Sequence, residues 1–266
     1  MKKILTLLMI LITWSGLTLA ADNSTYIDQS GDYTSVLVQQ DGAGNTVRGI
    51  NSTARDTPAV MYGDSNYINI EQKGSGNTLA FGVQTKVTTD TTMSWTAEYT
   101  HAEMTSNSFV YTVVGNSNMA TIDSNSDNKN TSFGNGVYMM QVGNSNTSSV
   151  IVRGTNNGVS VGMVGSNNTL SSAIDGTNNV QDLYILGDSN ILGFTQTGEN
   201  NGVVGGVNGY GNTLRLTQQD FGRTVNIEVL GNNNSVSIAQ AGSADSPVNI
   251  IFRGSYNNYN VNTNTR

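Results

Sequence analysis

The chain has 266 residues, no cysteine and a formal net charge of −7. Charged residues make up 12% of it, against ~25% in ordinary globular proteins. Without cysteine, disulfides, thiol catalysis and cysteine-ligated metals are excluded. The acidic balance argues against binding to nucleic acid, which requires a basic surface, and against anionic lipid head groups.

Residues 1–21 have the pattern of a secretory signal peptide. Two lysines precede an apolar run from Ile4 to Ile12, and small residues then lead to Ala21. The alternative is a membrane anchor, but this run is well short of the ~20 apolar residues that a membrane span needs. Cleavage would leave 10 basic and 19 acidic residues, so we expect an exported chain with a net charge of −9.

Residues 22–84 form a first block of repeats. Its glycines come in pairs eleven residues apart, and most are followed three residues later by asparagine: Gly31, Gly42, Gly63 and Gly74, with Asn45, Asn66 and Asn77. Glycine and asparagine tolerate positive φ, so the pattern G-x-x-N predicts a tight turn. Residues between the turns alternate between apolar and polar, as in Ile68, Asn69 and Ile70. This alternation predicts strands with one buried face.

Residues 85–114 do not follow the pattern, and we interpret them as an irregular insertion. They contain Trp95, Glu98, His101 and Glu103 but no G-x-x-N turn. Such a segment predicts either a bulge from one edge of the repeat array or strands joined by different turns. Residues 50–62, which include a proline, predict a loop or a degenerate half-unit.

Residues 115–266 form a second block of repeats, in which glycine returns every eleven residues with few breaks. The predicted turn residues of this block are Gly143, Gly154, Gly165, Gly176, Gly187, Gly198, Gly209, Gly231 and Gly242, with Asn146, Asn157, Asn168, Asn179, Asn190, Asn201, Asn212 and Asn234. Glycine and asparagine at this frequency would break a helix. Eleven residues therefore correspond to one strand and one turn.

The predicted strands each have three residues on the buried face, and the third of them shows that the full unit has twenty-two residues. From Ile185 to Gln240 this position alternates between an aliphatic residue and glutamine. A buried amide is costly unless it is hydrogen-bonded at both ends, and stacked units allow each glutamine to bond to the next one in a ladder. The predicted ladder residues are Gln29, Gln40, Gln72, Gln141, Gln196, Gln218 and Gln240. The turn asparagines named above, from Asn45 to Asn234, are predicted to form ladders of the same kind along the edge.

The sequence therefore predicts an all-β fold, a β-solenoid of stacked strand-turn-strand units (β-arches) of about 22 residues with two facing parallel sheets. One unit cannot bury its apolar face alone, so neighbouring units must stack in register. About ten or eleven rungs at ~4.8 Å give a rod on the order of 50 Å long.

The repeat resembles the curlin repeats of bacterial curli subunits. The clearest stretch is residues 66–84, NYINIEQKGSGNTLAFGVQ, which carries the family's Gln-x-Gly-x-Gly-Asn at positions 72–77; residues 235–242, SVSIAQAG, match the first half of such a repeat. The resemblance covers about residues 27–84 and 115–257. It implies a secreted amyloid subunit that crosses the outer membrane through a dedicated pore and polymerises on the cell surface with other curlin-like subunits or a nucleator.

Three classes of function are considered. The first is a self-assembling cross-β fibre subunit for adhesion and biofilm matrix, whose open strand edges template growth. The second is a monomeric or surface-anchored β-solenoid adhesin. An ice-binding version of it is disfavoured because the outward residues do not form a regular threonine array.

The third class, an enzyme, has little support in the sequence. The single histidine, His101, and the carboxylate pairs Glu98 with Glu103 and Asp123 with Asp127 lie in polar stretches where such residues usually face solvent. Asp64 and Asp188, in two GDSN sequences, are interpreted as turn residues rather than calcium ligands. We expect no catalytic site, cofactor, metal, small-molecule substrate or nucleic-acid partner.

Overall fold

The computed structural model describes residues 22–50, 58–62, 64–82, 86–89, 97–100, 104–105, 107–123, 132–242 and 247–265. These residues contain strands and turns and no helix, which confirms the predicted all-β class. The predicted signal peptide lies outside the described residues. So do Gly63, Trp95, His101, Glu103, Asp127 and the side chain of Glu98.

The described residues form twenty-five strands, numbered in chain order. They are β1 (Ser24–Thr25), β2 (Ile27–Ser30), β3 (Ser35–Asp41), β4 (Thr46–Arg48), β5 (Ala59–Tyr62), β6 (Tyr67–Lys73), β7 (Thr78–Gly82), β8 (Lys86–Thr89), β9 (Ala97–Thr100), β10 (Met104–Thr105), β11 (Ser108–Val114), β12 (Met119–Asp123), β13 (Ser132–Phe133), β14 (Gly136–Val142), β15 (Thr147–Thr155), β16 (Gly158–Val164), β17 (Thr169–Thr177), β18 (Val180–Leu186), β19 (Ile191–Glu199), β20 (Gly202–Asn208), β21 (Thr213–Phe221), β22 (Thr224–Leu230), β23 (Ser235–Gly242), β24 (Val248–Arg253) and β25 (Asn258–Thr265).

The strands alternate between two parallel sheets, and each sheet stacks its strands in sequence order. Sheet 1 has the order β1-β4-β7-β12-β15-β17-β19-β21-β23-β25, and sheet 2 has the order β3-β6-β11-β14-β16-β18-β20-β22-β24. One strand of each sheet makes a rung, and equivalent residues of regular rungs, such as Gly158 and Val180, are paired 22 residues apart. This is the β-solenoid of 22-residue arches that the sequence predicts.

The core lies between the two sheets and follows the alternation in the sequence. In β18 the residues at 181, 183 and 185 are buried, whereas those at 180, 182 and 186 are exposed. Burying every second side chain of both sheets makes one continuous core along the column, from Val47 to Phe252. Each rung covers the apolar face of the next, so the column is stabilised by stacking rather than by any single rung.

The irregular segments all interrupt sheet 1, and they do so at one place in its strands. β15 is a continuous strand of nine residues, whereas on the three preceding rungs β4 is separated from β5, β7 from β10, and β12 from β13. β13 pairs with both β10 and β15, and β2 pairs with β5, so the second halves of these strands continue the stack. The interruptions therefore all fall at the same position of the sheet 1 strands, and the described rungs remain in register.

The predicted insertion at 85–114 is too long at its C-terminal end. Ser108–Val114 forms β11, a full member of sheet 2 that pairs in register with β6 on one side and β14 on the other. Counting from glycine to glycine hides this strand, because its rung has no glycine at the start of the preceding turn. Within the segment, β8 and β9 form an antiparallel pair outside the two main sheets.

Candidate assembly site

The turn glycines stack in two rows, one along each edge of the solenoid. Gly165 has φ of +130°, and a Cβ placed on it would lie 2.0 Å from the carbonyl oxygen of Gly187 on the next rung. The same close approach relates Gly154 to Gly176 in the other row of glycines. The glycine repeat is therefore required twice, by the backbone conformation and by the neighbouring rung. The sequence predicted these described members of the two rows: Gly31, Gly42, Gly74, Gly143, Gly154, Gly165, Gly176, Gly187, Gly198, Gly209, Gly231 and Gly242.

The turn asparagines are buried and form two continuous files. In the first file, Asn190 donates from its backbone N–H and from Nδ2 to Oδ1 of Asn168, at 2.9 and 3.1 Å, and from Nδ2 to the carbonyl of Gly209 at 2.8 Å. Each amide thus joins the rung before it to the rung after it. The first file contains Asn45, Asn77, Asn118, Asn146, Asn168, Asn190, Asn212, Asn234 and Asn257, and the second contains Asn66, Asn107, Asn135, Asn157, Asn179 and Asn201.

Arg223 takes the next place in the second file, and the sequence reading did not identify it. Its side chain is fully buried, and its backbone N–H bonds to Oδ1 of Asn201 at 3.0 Å. Nε donates to the carbonyl of Gly242 at 3.0 Å, the bond that an asparagine Nδ2 would make, and Nη2 donates to the carbonyl of Ala241 at 2.9 Å. The signal was present in the sequence, where QDFGR replaces the expected G-x-x-N.

The glutamines form two separate files rather than one ladder along the whole chain. In sheet 1, Gln196 donates to Gln218 at 2.8 Å and Gln218 donates to Gln240 at 2.9 Å. In sheet 2, Gln40 donates to Gln72 at 2.8 Å. The prediction of one ladder is therefore wrong, because the two groups of glutamines lie on opposite sheets.

Two of the predicted ladder residues do not join either file. Gln141 stands between Val113 and Met163 in sheet 2, accepts from the Tyr111 hydroxyl at 2.8 Å and donates to Ser148 Oγ at 2.7 Å. Gln29 donates to the carbonyl of Gly31 at 2.9 Å. A buried amide next to aliphatic neighbours is satisfied here by a hydroxyl from another position, as each hydrogen-bonding group must be.

A third file runs along the second position of the turns and was also missed. Ser75 donates its backbone N–H to Oδ1 of Asn116 at 2.8 Å, and Asn116 donates in the same way to Asn144 at 2.9 Å. Asp188 belongs to this file, since its Oδ1 accepts the backbone N–H of Ser166 at 2.6 Å. At the turns along the other edge of the solenoid, Oδ1 of Asp64 accepts the backbone N–H of Asp32, also at 2.6 Å. Both aspartates are turn residues, and no cluster of His, Cys, Asp or Glu in the described ranges could hold a metal.

The surroundings of two tyrosine side chains, Tyr111 and Tyr184, raise their pKa. Burial of the Tyr111 hydroxyl raises its pKa, because the phenolate would be desolvated inside the column. Tyr184 is on the outer face of sheet 2 and donates to Oε1 of Glu228 at 3.2 Å, two rungs away. Partial burial, followed by the charge of Glu228, raises the pKa of Tyr184 to about 12. These groups stay protonated at neutral pH and are hydrogen-bond donors rather than acids or bases.

Both ends of the column carry a strand edge that no described residue covers. β24 pairs only with β22, β25 only with β23, and β3 only with β6. Ser235 donates its N–H to the carbonyl of Asn257. In a parallel ladder alternate residues bond to opposite neighbours, so the N–H groups of Asn258, Asn260 and Asn262 point away from the column. Most inward residues of this last rung, among them Val248, Ile250 and Val261, are only partly buried.

Comparison of the chain with models of known protein families, with curated proteins and with solved structures gives no match. In the part of the chain that the structure describes, no helix is long and apolar enough to cross a membrane.

Proposed function

We propose that the protein is a secreted structural subunit of a curli-like extracellular amyloid fibre, which grows as copies stack end to end. The observation that carries this proposal is the open edge of both sheets at the two ends of the column. Unpaired N–H and C=O groups on a strand edge are a template for another strand. A repeat column with open ends can add a rung from a second copy as it adds a rung of its own.

The asparagine file supports the same direction of growth. Asn23 accepts the backbone N–H of Asn45 with its Oδ1, at 2.9 Å, and so occupies the first position of the file. Asn257 occupies the last, donating to Asn234. The next rung would place an asparagine over Asn257, and Asn23 of a second copy is the residue that continues the sequence of bonds. The two ends thus offer complementary halves of one repeated contact.

The biological setting follows from the curlin resemblance and the N-terminal signal pattern. Export across the outer membrane through a pore, contact with other curlin-like subunits or a nucleator, and a role in adhesion and biofilm matrix belong to this proposal. Binding of nucleic acid or of a small-molecule substrate does not. The chemistry is non-covalent strand addition, and the proposal includes no enzymatic step.

The test is seeded growth of the purified chain, followed by thioflavin fluorescence and fibre diffraction. We expect a meridional reflection at roughly 4.7–4.8 Å and shorter lag times when preformed fibres are added. Asn260→Pro removes an N–H that points away from β23, so it should leave the column folded and slow elongation. Asn260→Ala, which keeps that N–H, is the matched control and should elongate as the parent does.

A monomer that stays in solution for days without seedable growth would overturn the fibre and favour the adhesin. That second function has its own support in exposed tyrosines at the turns, Tyr33 at 91% and Tyr256 at 82% of full exposure. Flat amphipathic rings of this kind are suited to contact with a surface.

A further inference from the structure

The two sheets do not stack the same number of strands. Among the described residues, the stack of sheet 1 has ten strands and that of sheet 2 has nine, because the strands begin and end in sheet 1. β1 and β2 together make the first sheet 1 strand, and β25 makes the last. Sheet 1 therefore supplies the outermost strand at both ends of the column.

This difference in number matters when two copies stack end to end. Within the column, one sheet 2 strand leads from each sheet 1 strand to the next, as β24 leads from β23 to β25. If Asn23 of a second copy docks on Asn257, β1 and β2 of that copy continue sheet 1, but no described strand lies between β24 and β3 of the second copy. Those two edges of sheet 2 are then about 9.6 Å apart, twice the ~4.8 Å spacing of paired strands. This docked arrangement has a gap one strand wide.

The gap is lined by apolar side chains. On one side are Val248, Ile250 and Phe252 of β24, and on the other are Val36 and Val38 of β3. Val248 and Val36 lie equally far from the turn glycine that follows each strand, and so do Ile250 and Val38. Bringing the two edges together in this register buries the apolar residues of both, which is favourable.

The strand that prevents this closure is the more weakly held of the two end strands. β1 and β2 pair with the next rung over two and four residues, whereas β25 pairs with β23 over eight. Of the inward residues Thr25, Ile27 and Gln29, one is apolar and none is fully buried. In β25, by contrast, the ring of Tyr259 stacks on Phe252 with 4.1 Å between the ring centroids.

We propose that docking is followed by a second step, in which β25 of one copy displaces β1 and β2 of the next copy and takes their place on β4 and β5. β24 then pairs with β3, and both sheets are continuous across a head-to-tail junction. This inference rests on the proposed fibre and defines its junction. Strand pairing is about equal before and after, because the β24–β3 pairing replaces that of β1 and β2. The gain is the apolar surface that the closed gap buries.

Asn257 can take over the bonds that Asn23 makes in the free chain. Asn23 donates from Nδ2 to the carbonyl of Gly42 at 3.0 Å and accepts the backbone N–H of Asn45 at 2.9 Å. The inner asparagines of the first file make the same two bonds to their next rung. In the junction, Asn257 makes both to Gly42 and Asn45 of the second copy, so the file continues without a lost bond.

The junction also brings opposite charges together. Arg253 is the last residue of β24 and Asp41 is the last of β3, and each precedes a turn glycine. Pairing of β24 with β3 therefore places the guanidinium beside the carboxylate. Lys73 lies next to Asp41 on the following rung of the second copy. Charges alternate in sign along this file, which favours the proposed register over its neighbours.

Hydrogen exchange distinguishes the displaced from the docked arrangement without a variant. In the monomer, Ser24 and Tyr26 donate their N–H groups to the carbonyls of Asn45 and Val47. In assembled fibres we expect residues 22–30 to exchange at least tenfold faster than in the monomer, and residues 35–41 and 248–253 at least tenfold more slowly. Fibres in which residues 22–30 exchange more slowly than in the monomer would overturn the proposal, because the docked arrangement would then persist.

A second test ties β1 to the column. Ser24 Oγ and Thr46 Oγ1 are 3.2 Å apart on neighbouring rungs, so Ser24→Cys with Thr46→Cys places two sulfurs within reach of a disulfide. The chain has no other cysteine. On parent seeds, we expect elongation to be at least tenfold slower for the oxidised variant than for the same variant after reduction. The reduced form is the matched control, since it has the same sequence.

The outcomes separate this junction from the fibre itself. Fibres that grow equally fast from the oxidised and the reduced variant would overturn the displacement of β1 and β2 and leave the proposed function in place. A parent chain that forms no fibre would overturn both. Circular dichroism of the oxidised monomer excludes misfolding as the cause of slow growth.

Discussion

At the scale of single residues, two kinds of glycine have different roles. The turn glycines occupy positions where the next rung leaves no room for a Cβ and where φ is positive, as at Gly165. The outward strand glycines, such as Gly193, have neither restriction. Composition alone does not distinguish them, because both contribute to the same total of 30.

Gly165→Ala should lower the free energy of unfolding by at least about 3 kcal/mol. The added Cβ would sit 2.0 Å from the Gly187 carbonyl oxygen at a φ of +130°, and both the clash and the strained backbone are costly. Gly193→Ala, the control, should be neutral or stabilising by up to about 1 kcal/mol. Denaturant titration of the two variants measures the difference. Equal stabilities would show that the stacked turns do not depend on glycine.

Gln218→Glu should make stability depend on pH. The carboxylate would replace a buried amide that donates to Gln240 and accepts from Gln196. Burial raises the folded-state pKa of such a group above its unfolded value near 4.3. The variant is then least impaired below about pH 4, and its cost grows as pH rises through the folded pKa, towards about 3 kcal/mol at neutral pH.

The control for this change is Gln218→Leu, which loses the same hydrogen bonds but cannot ionise. We expect its cost to be about 1–3 kcal/mol and to stay constant between pH 3 and 8 relative to the parent. Denaturant titrations at several pH values compare the two variants. A flat profile for Gln218→Glu would mean that solvent reaches this position and that the file is not enclosed.

At the scale of elements, the extra residues are confined to one point of the sheet 1 strands. Asn118 and Asn146 are 28 residues apart, whereas Asn146 and Asn168 on the next rung are 22 apart. The difference lies between the end of β12 at Asp123 and the start of β13 at Ser132. Register is therefore kept by the turns on both sides of the interruption.

Removal of residues 125–130 should leave the column folded, because the 28-residue spacing then becomes 22. We expect the thermal midpoint to stay within a few degrees of the parent. Removal of six residues from inside β15, 148–153, takes away the buried Val150 and Val152 and should abolish cooperative unfolding. Circular dichroism melting curves decide between these outcomes. Loss of structure in the first deletion would show that the extra residues are needed for folding.

Much of this fold could be predicted from the sequence, and the parts that could not have physical reasons. The turn residues and the inward alternation have short periods, so one repeat predicts the next. The split of the glutamine files was hidden because Gln141 and Gln196 are five half-units apart, and an odd number changes the sheet. Arg223 was missed since only the file around it shows that a guanidinium can replace an amide.

At the scale of the whole molecule, the column is a one-dimensional stack in which each rung contacts its neighbours. Its stability is approximately a sum over rungs and rung interfaces. A rung can therefore be removed without changing the pattern of bonds, provided that the number of residues removed is one full unit. The two sheets then remain alternate along the chain.

Deletion of residues 169–190 should give a shorter column that still unfolds cooperatively. It joins Asn168 to Ile191, which already occupies the equivalent position of the next rung. Deletion of 171–190, two residues fewer, puts the following asparagine out of file and should cost far more stability. Thermal melts and the strand signal in circular dichroism compare them. Equal stability of the two deletions would show that register is not set by the 22-residue period.

The position at which the sheet 1 strands are interrupted has a consequence for what the solenoid can carry. Consecutive rungs lie ~4.8 Å apart, and three of them already have additional residues inserted at this position of the sequence while the described strands stay in register. Peptides grafted at this point on neighbouring rungs would emerge as a closely spaced row with fixed order and direction. The column could thus display short sequences at a regular spacing, which is set by the backbone hydrogen bonds between neighbouring rungs.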